Sequence, residues 1–416
     1  MTPAARVQAA IEILEGLSAS RLPADRYIRE FFRARRYAGS KDRAAIGGRV
    51  YDVFRHRAFC AWRMGSQAPR ALAIGALLRE GASADDVATL FSGGGYGPAA
   101  LTDDERARIA LVPQEAPLCV KGEYPQFLEP ELTRAFGDRL LDEMAAMQAR
   151  APVDLRVNTL KAMRDDVLKA LGSDGKEAFA TRFSPFAIRL PAGTTGLEKT
   201  KLFESGAFEF QDEAAQIAVL LCSAKPGMRV LDLAAGAGGK SLALAALMRD
   251  QGEIVASDID PNRLRQLAPR AERAGTSIIA TRDPRPGETF DLVIADAPCS
   301  GSGTWRRQPE NKWRLTPEGL AQLNRIQDEL LARAAAYVKP GGRLVYATCS
   351  VLPCENKDRI ELFRASHPDF AIRNASQIWR ESVGSEPPPG TATFFKATPR
   401  STDTDGFFAA VMQNAG

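Results

Sequence analysis

FDLVIADAPCSGSGT, Phe290–Thr304, is the stretch on which the reading of this chain turns. Its first half holds Leu292-Val293-Ile294-Ala295, an unbroken apolar run of strand length, the pattern of a strand buried on both faces. Asp296 closes the run, and Ala297-Pro298-Cys299 and a Ser/Gly tract follow. A carboxylate and a thiol are therefore predicted at the carboxyl end of a buried strand, where open α/β sheets bind ligands. Pro298 stiffens the turn, and Gly301 and Gly303 are expected to let backbone approach a substrate closely. Taken alone, the stretch also fits a buried acid capping a loop beside a small apolar cysteine. A second strand-end cysteine, Cys349, shifts the reading toward chemistry.

From Ala207 onward the chain alternates strand and helix. Phe208–Asp212 leads into a helix over Glu213–Leu221, and Met228–Leu233 reads as a strand. Ala234-Ala235-Gly236-Ala237-Gly238-Gly239-Lys240 then opens a helix to Met248. Ile254–Asp258 and Ser277–Ala280 are further strands, with Pro261 starting a helix between them at its first position. After Phe290–Asp296 come a long helix, Pro317–Val338, and a strand, Arg343–Thr348. Thr391–Ala397 and Phe407–Gln413 read as a closing hairpin. Such alternation is the signature of a parallel, doubly wound sheet.

A strand ending in Asp232, a glycine turn and a helix form a cradle for a nucleoside-type cofactor, with backbone contact at the glycines and a helix N-terminus behind them. Asp258, about 20 residues on, is placed to accept from two ribose hydroxyls. Asp283 follows the third strand, where an adenine amine can donate to it. Position 241 is Ser, so G-x-G-x-x-G is incomplete. This favours S-adenosylmethionine over a dinucleotide without excluding the latter. In the usual winding the strands ending at Asp232, Asp296 and Thr348 are neighbours, which gathers Asp296, Cys299 and Cys349 around one pocket. Carbon 5 of cytosine is too weak a nucleophile to take a methyl group directly. A thiolate adding to carbon 6 makes it reactive, an acid at ring nitrogen 3 stabilises the adduct, and a second polar group helps the release.

The first part of the chain is all-helical in pattern, with Val7, Ala10, Ile11 and Leu14 on one face and Ile46, Val50, Val53 and Phe54 on another. From Arg6 to Arg70 the basic residues, Arg36 among them, outnumber the acidic ones fourteen to six. Such an excess suits phosphate binding; a solvated Arg-rich surface is the plainer alternative. Asp154–Leu160 and Phe186–Leu190 read as strands around a short helix from Arg164 to Leu171. With 416 residues and 45% hydrophobic content the chain can build two or three cores. No apolar run reaches the ~18 residues of a membrane span. Six cysteines without a CxxC pair predict no metal site, no disulfide framework and a reducing, cytoplasmic setting.

Several segments together resemble one family. ADAPCSGSGTWRRQPENKW (295–313) and YATCSVLPCEN (346–356) are similar to the two cysteine motifs of the Sun/RsmB family of S-adenosylmethionine-dependent RNA cytosine-5 methyltransferases. VLDLAAGAGGK (230–240) resembles its cofactor loop, LRVNTLK (155–161) its substrate-side strand, FQDEAAQ (210–216) the entry to its catalytic domain and DGFFAA (405–410) its last strand. SKDRAAIGGRVYDVFRHR (40–57) resembles, more weakly, its NusB-like RNA-binding domain. The resemblance implies three domains: a helical NusB-like domain over 1–118, a small α/β module over 119–205 and a Rossmann-like class I methyltransferase domain over 206–416. The last is expected to hold a mostly parallel seven-stranded sheet with a C-terminal hairpin. The resemblance further implies Cys349 as nucleophile and Cys299 as the group assisting release; Asp296, at its strand end, is the candidate acid. S-adenosylmethionine is then held by Ala234, Ala235, Gly236, Ala237, Gly238, Gly239, Lys240, Asp258, Arg263, Asp283 and Asp296. RNA is the implied partner, small-subunit ribosomal RNA in this branch, with tRNA as an alternative, and a monomer is expected. Gly236-Ala237 departs from the family's commoner Ala-Pro at unchanged loop length. A non-catalytic RNA-binding factor and a nucleotide-dependent redox enzyme are the competing readings. The Asp296, Cys299 and Cys349 set argues against the first, and the missing third glycine and CxxC against the second.

Overall fold

A computed structural model describes every residue except Arg36, Val112 and Pro113. Arg36, counted above among the basic residues, thus lies outside the described residues. The described chain forms two compact units. The first comprises Met1–Thr133, Asp138–Gln148 and Gln308–Leu315. Its helices begin on local signals. Thr2 caps Pro3–Ala19 by accepting from Ala5 N–H, and Ser83 and Thr102 form capping boxes with Asp86 and Glu105. The predicted apolar faces meet in its cores, with Leu14, Phe31, Phe32, Ile46, Val50 and Val53 all buried. The short helix Pro309–Arg314 joins this unit from far along the chain. Its Trp313 indole N–H donates to Phe54 O at 2.6 Å, and Glu310 accepts from Ala24 N–H at 3.2 Å.

The second unit comprises Arg134–Gly137, Ala149–Arg307 and Thr316–Gly416 and contains two sheets. The smaller is antiparallel, built from β1 (Val153–Val157), β2 (Phe179–Ala180), β3 (Ala187–Leu190) and β4 (Phe208–Phe210) in the order β2-β3-β1-β4. The larger contains β5 (Arg229–Asp232), β6 (Glu253–Ala256), β7 (Ile279–Thr281), β8 (Phe290–Asp296), β9 (Val338–Thr348), β10 (Phe370–Arg373), β11 (Phe395–Ala397) and β12 (Phe407–Asn414). Seven of these run in the order β10-β12-β9-β8-β5-β6-β7, and short β11 pairs with β12. The four pairings among β5 to β9 are parallel, and β12 is antiparallel to its three partners.

The apolar run of β8 is buried on both faces, as its lack of alternation predicts. Leu292 and Ile294 join a core covered by helices Glu213–Leu221, Gly239–Leu247 and Ala375–Ser382. Val293 and Ala295 join a core under helices Pro317–Ala335 and Lys357–Ser366. Each fully buried Leu, Ile or Val contributes about 1.5–3 kcal/mol of burial free energy. Two details differ from the sequence reading. The helix from Pro317 ends at Ala335, because Val338 already pairs with Phe290 as the start of β9. The closing hairpin has only three residues in its first strand, and β12 lies between β9 and β10, a strand too short and irregular to stand out in sequence.

Candidate active site

Strands β5, β8 and β9 are adjacent and parallel, so Asp232, Asp296 and Thr348 end side by side. Cys299 follows β8 by three residues and Cys349 follows β9 directly. Their sulfurs are 3.4 Å apart, within hydrogen-bonding distance for sulfur. The hydrogen bond with Cys349 is the first cause pushing the Cys299 thiol well above its ordinary value; burial and the charges of Cys349 and Glu355 follow. Cys299 therefore holds its proton.

Backbone hydrogen bonds fix the cysteine loops. Gly303 N–H donates to Cys349 O at 2.9 Å, and Gly303 O accepts from Gly406 N–H at 2.8 Å. A Cβ on Gly303 would lie 2.0 Å from Gly406 O. The sequence reading assigned this glycine to substrate approach. The structure corrects that: the backbone it admits is the chain's own, at the start of β12. Lys240, at the start of the helix after the glycine turn, places its ammonium 2.5 Å from Asp296 Oδ2. Burial alone would lower the Lys240 ammonium, but the facing Asp296 carboxylate, with Asp232 behind it, raises it above the usual lysine range.

The glycine turn has the shape of a cofactor cradle. Gly238 caps the helix Gly239–Leu247 at φ +81°, with no side chain on the helix's first amides. Asp258 accepts from Gly236 N–H at 2.7 Å and from Asp260 N–H at 2.8 Å, fixing the turn against the end of β6. The exposed Arg263 lies against Gly236, where a Cβ would come within 2.6 Å of its guanidinium. Asp283, also exposed, accepts from Ser257 Oγ at 2.5 Å. Asp232 is fully buried, and burial lifts its carboxyl to about 6. Its Oδ2 accepts from Ser241 Oγ at 2.6 Å, while its Oδ1 has no hydrogen-bond partner. A buried acid with one unpartnered oxygen, beside helix amides that no side chain caps, fits a ligand with both an ammonium and a carboxylate. The amino-acid end of S-adenosylmethionine carries both.

Four contributors escaped the sequence reading. Arg156 of β1 donates to Gly239 O at 2.7 Å and Arg270 to Ala237 O at 2.6 Å, so two guanidiniums hold the turn from behind. Ile259, next to Asp258, is 87% exposed, an apolar surface rare for its type. Glu355 lies buried between the cysteine loops. None belongs to a spacing pattern; Ile259 stands beside a strand-end acid in sequence, but its exposure is a property of the fold.

Comparison with known proteins identifies relatives of this chain. The family model for the 16S rRNA methyltransferase RsmB/F matches residues 219–413, and an RsmF/B-like ferredoxin-like domain matches residues 124–195. The chain is 32% identical over 309 residues to a "Probable ribosomal RNA small subunit methyltransferase B" of Bacillus subtilis, covering 72% of this chain and 68% of that one. It is 33% identical over 298 residues to ribosomal RNA small subunit methyltransferase B of Klebsiella pneumoniae, with 70% and 65% covered. Among solved structures, PH0851 superposes at TM-score 0.77 with 27% identity over 99% of both chains. NSun6 from Pyrococcus horikoshii, solved with SFG, shares the fold at TM-score 0.62 and 19% identity over 70% of this chain and 98% of that one. Methyltransferases of this family use S-adenosylmethionine, which the cradle fits. This chain belongs to the RsmB/F family of RNA methyltransferases.

Proposed function

We propose that this protein methylates carbon 5 of a cytosine in small-subunit ribosomal RNA through a covalent adduct with Cys349. The observation that carries the reading is the 3.4 Å approach of two thiols at the ends of adjacent strands, beside the Asp296–Lys240 pair and the glycine cradle. Two supports for the substrate are the names of the B. subtilis and K. pneumoniae relatives and the exposed basic residues of the helical unit. We assign that unit to RNA binding, as the NusB-like resemblance implies, and place the reaction in the cytoplasm. Among the described residues no helix is long and apolar enough to cross a membrane.

S-adenosylmethionine, when bound, supplies an electrophilic methyl group. The residues that would hold it are Ala234 to Lys240 at the turn, Asp258 and Asp283 beyond it, Arg263 against Gly236, and Asp232 beneath. Ile259 offers its apolar side chain to the base.

The protein's own groups carry the rest. The Cys349 sulfur forms a bond to carbon 6, and the electron pair of the 5,6 double bond makes carbon 5 nucleophilic. The Asp296–Lys240 pair delivers a proton toward ring nitrogen 3 and stabilises the adduct. Cys299 keeps its proton in this phase and does not compete for carbon 6. Once the Cys349 sulfur is a neutral thioether, its charge no longer raises the Cys299 thiol. Cys299, its own proton lost to solvent, then takes the proton from methylated carbon 5; the carbon–sulfur bond breaks with the electron pair returning to Cys349, and ring nitrogen 3 returns its proton to the Asp296–Lys240 pair. Adduct formation thereby arms the base that ends it.

Bisulfite sequencing of ribosomal RNA from a strain lacking this protein tests the reading. One small-subunit cytosine should lose protection and regain it on complementation, and an unchanged map rejects the assignment.

A further inference from the structure

Glu355 is fully buried, with no lysine or arginine at salt-bridge distance among the described residues. Hydrogen bonds alone satisfy its carboxylate. Oε1 accepts from Ser300 N–H at 2.8 Å and from Gln327 Nε2 at 3.1 Å. Oε2 accepts from the hydroxyls of Ser300 and Ser350, both at 2.5 Å. Ser300 follows Cys299, and Ser350 follows Cys349. One carboxylate therefore grips the residue after each cysteine.

The surrounding turn adds to that grip. Tyr346 donates its hydroxyl to Glu355 O at 2.7 Å. Asn356 accepts from Thr348 Oγ1 at 2.5 Å and donates to Ser350 O at 2.9 Å. Gln327 donates to Pro298 O at 2.9 Å. A neutral glutamine would spare the desolvation cost of a buried charge, so a carboxylate here needs a reason beyond packing.

We propose that Glu355 is a positioning residue for methyl transfer: it ties the loop after β8 to the loop after β9, sets the spacing of the two sulfurs, and keeps Cys299 from competing with Cys349. The proposal rests on the reading of these cysteines as the reacting pair. The titratable groups facing Cys299 are Cys349 at the end of β9, Tyr346 within β9 and Glu355 in the turn beyond. The Lys240–Asp296 pair bears on Cys349. Of these, Glu355 supplies a fixed negative charge that neither binds cofactor nor touches the base.

The variant E355Q separates charge from tether. Its amide oxygen can keep the Ser300 and Gln327 N–H donors while its NH2 group meets two hydroxyls that rotate to accept. Two measurements are made on the full chain. Steady-state kinetics yields kcat and the KM values for RNA and S-adenosylmethionine. Iodoacetamide labelling across pH without RNA, mapped by peptide mass spectrometry, yields the alkylation midpoint of Cys299. E355Q is expected to fold, keep both KM values and lose roughly ten- to a hundred-fold in kcat, the effect of sub-ångström misplacement of reacting groups. Its Cys299 midpoint should move to lower pH. A folded E355Q with wild-type kcat and an unmoved midpoint overturns the proposal.

Should E355Q not fold, S300A removes one of the bonds to Glu355, with the Ser302 N–H bond to the same hydroxyl, and keeps the charge. It should lower kcat with no shift in the midpoint, and wild-type kcat in S300A is equally fatal. The labelling needs no RNA. An inactive wild type would thus reject the assigned reaction while leaving the Glu355 test standing.

Discussion

The sulfurs of Cys299 and Cys349 lie 3.4 Å apart although 50 residues separate them in the chain. Their environments differ, and the mutants should differ with them. Cys349→Ala should abolish methyl transfer and form no covalent complex with RNA. Cys299→Ala should still add to carbon 6 and accept the methyl group, then stall, leaving a protein–RNA band on a denaturing gel. The base must leave its stack to reach either thiol, so unpaired substrate should react faster than a duplex. Adduct trapped by Cys349→Ala instead of Cys299→Ala would reverse the two roles.

Asp258 holds the glycine turn through the Gly236 amide and its own loop through the Asp260 amide, and we propose that it accepts from the cofactor ribose. Asp258→Ala should weaken S-adenosylmethionine at least tenfold in calorimetry, the ~1.4 kcal/mol of a lost charged acceptor. Unchanged affinity would remove Asp258 from the site.

Asp232 should give cofactor binding a pH dependence. Burial raises its carboxyl to about 6, so it is protonated below that pH and ionised above. A cationic ammonium favours the ionised form. Affinity for S-adenosylmethionine should therefore fall as pH drops through 6, level off above it, and lose this dependence in Asp232→Asn. Parallel curves for the two proteins would show that another group titrates.

Much of the basic excess in the helical unit is used internally. Arg6 pairs with Asp42, Arg35 with Glu12, Arg49 with Glu80 and Arg70 with Glu105. Arg21, Arg33 and Lys41 are exposed. Replacing these three by Glu should weaken RNA binding and reduce the slope of log affinity against log salt by roughly 2 to 3, if each meets a phosphate. Cofactor affinity should not move. An unaltered slope would place the RNA elsewhere.

What the sequence discloses here follows range. β5, β8 and β9 announce themselves by short apolar runs, and winding rules alone bring Asp232, Asp296 and Cys349 together. Glu355, Arg156 and Arg270 act on backbone atoms dozens of residues away, and nothing local marks a side chain for such a partner. Gln308–Leu315 was equally hidden: its Trp313 packs with the helical unit while its neighbours Arg307 and Thr316 belong to the second unit. The charge excess was legible in sequence, its internal pairing was not. The same holds for Gly303, whose need for space is clear and whose occupant, Gly406, is not.

That last contact sets an order of events during synthesis. β12 follows every other strand in the chain yet inserts between β9 and β10, and the Gly406 amide just before it secures Gly303. Until residues 406–414 leave the ribosome, β9 has an open edge and Gly303, in the Cys299 loop, lacks its Gly406 partner. A nascent chain thus carries both cysteines, and the Glu355 bridge between their loops, before the sheet beside them is complete.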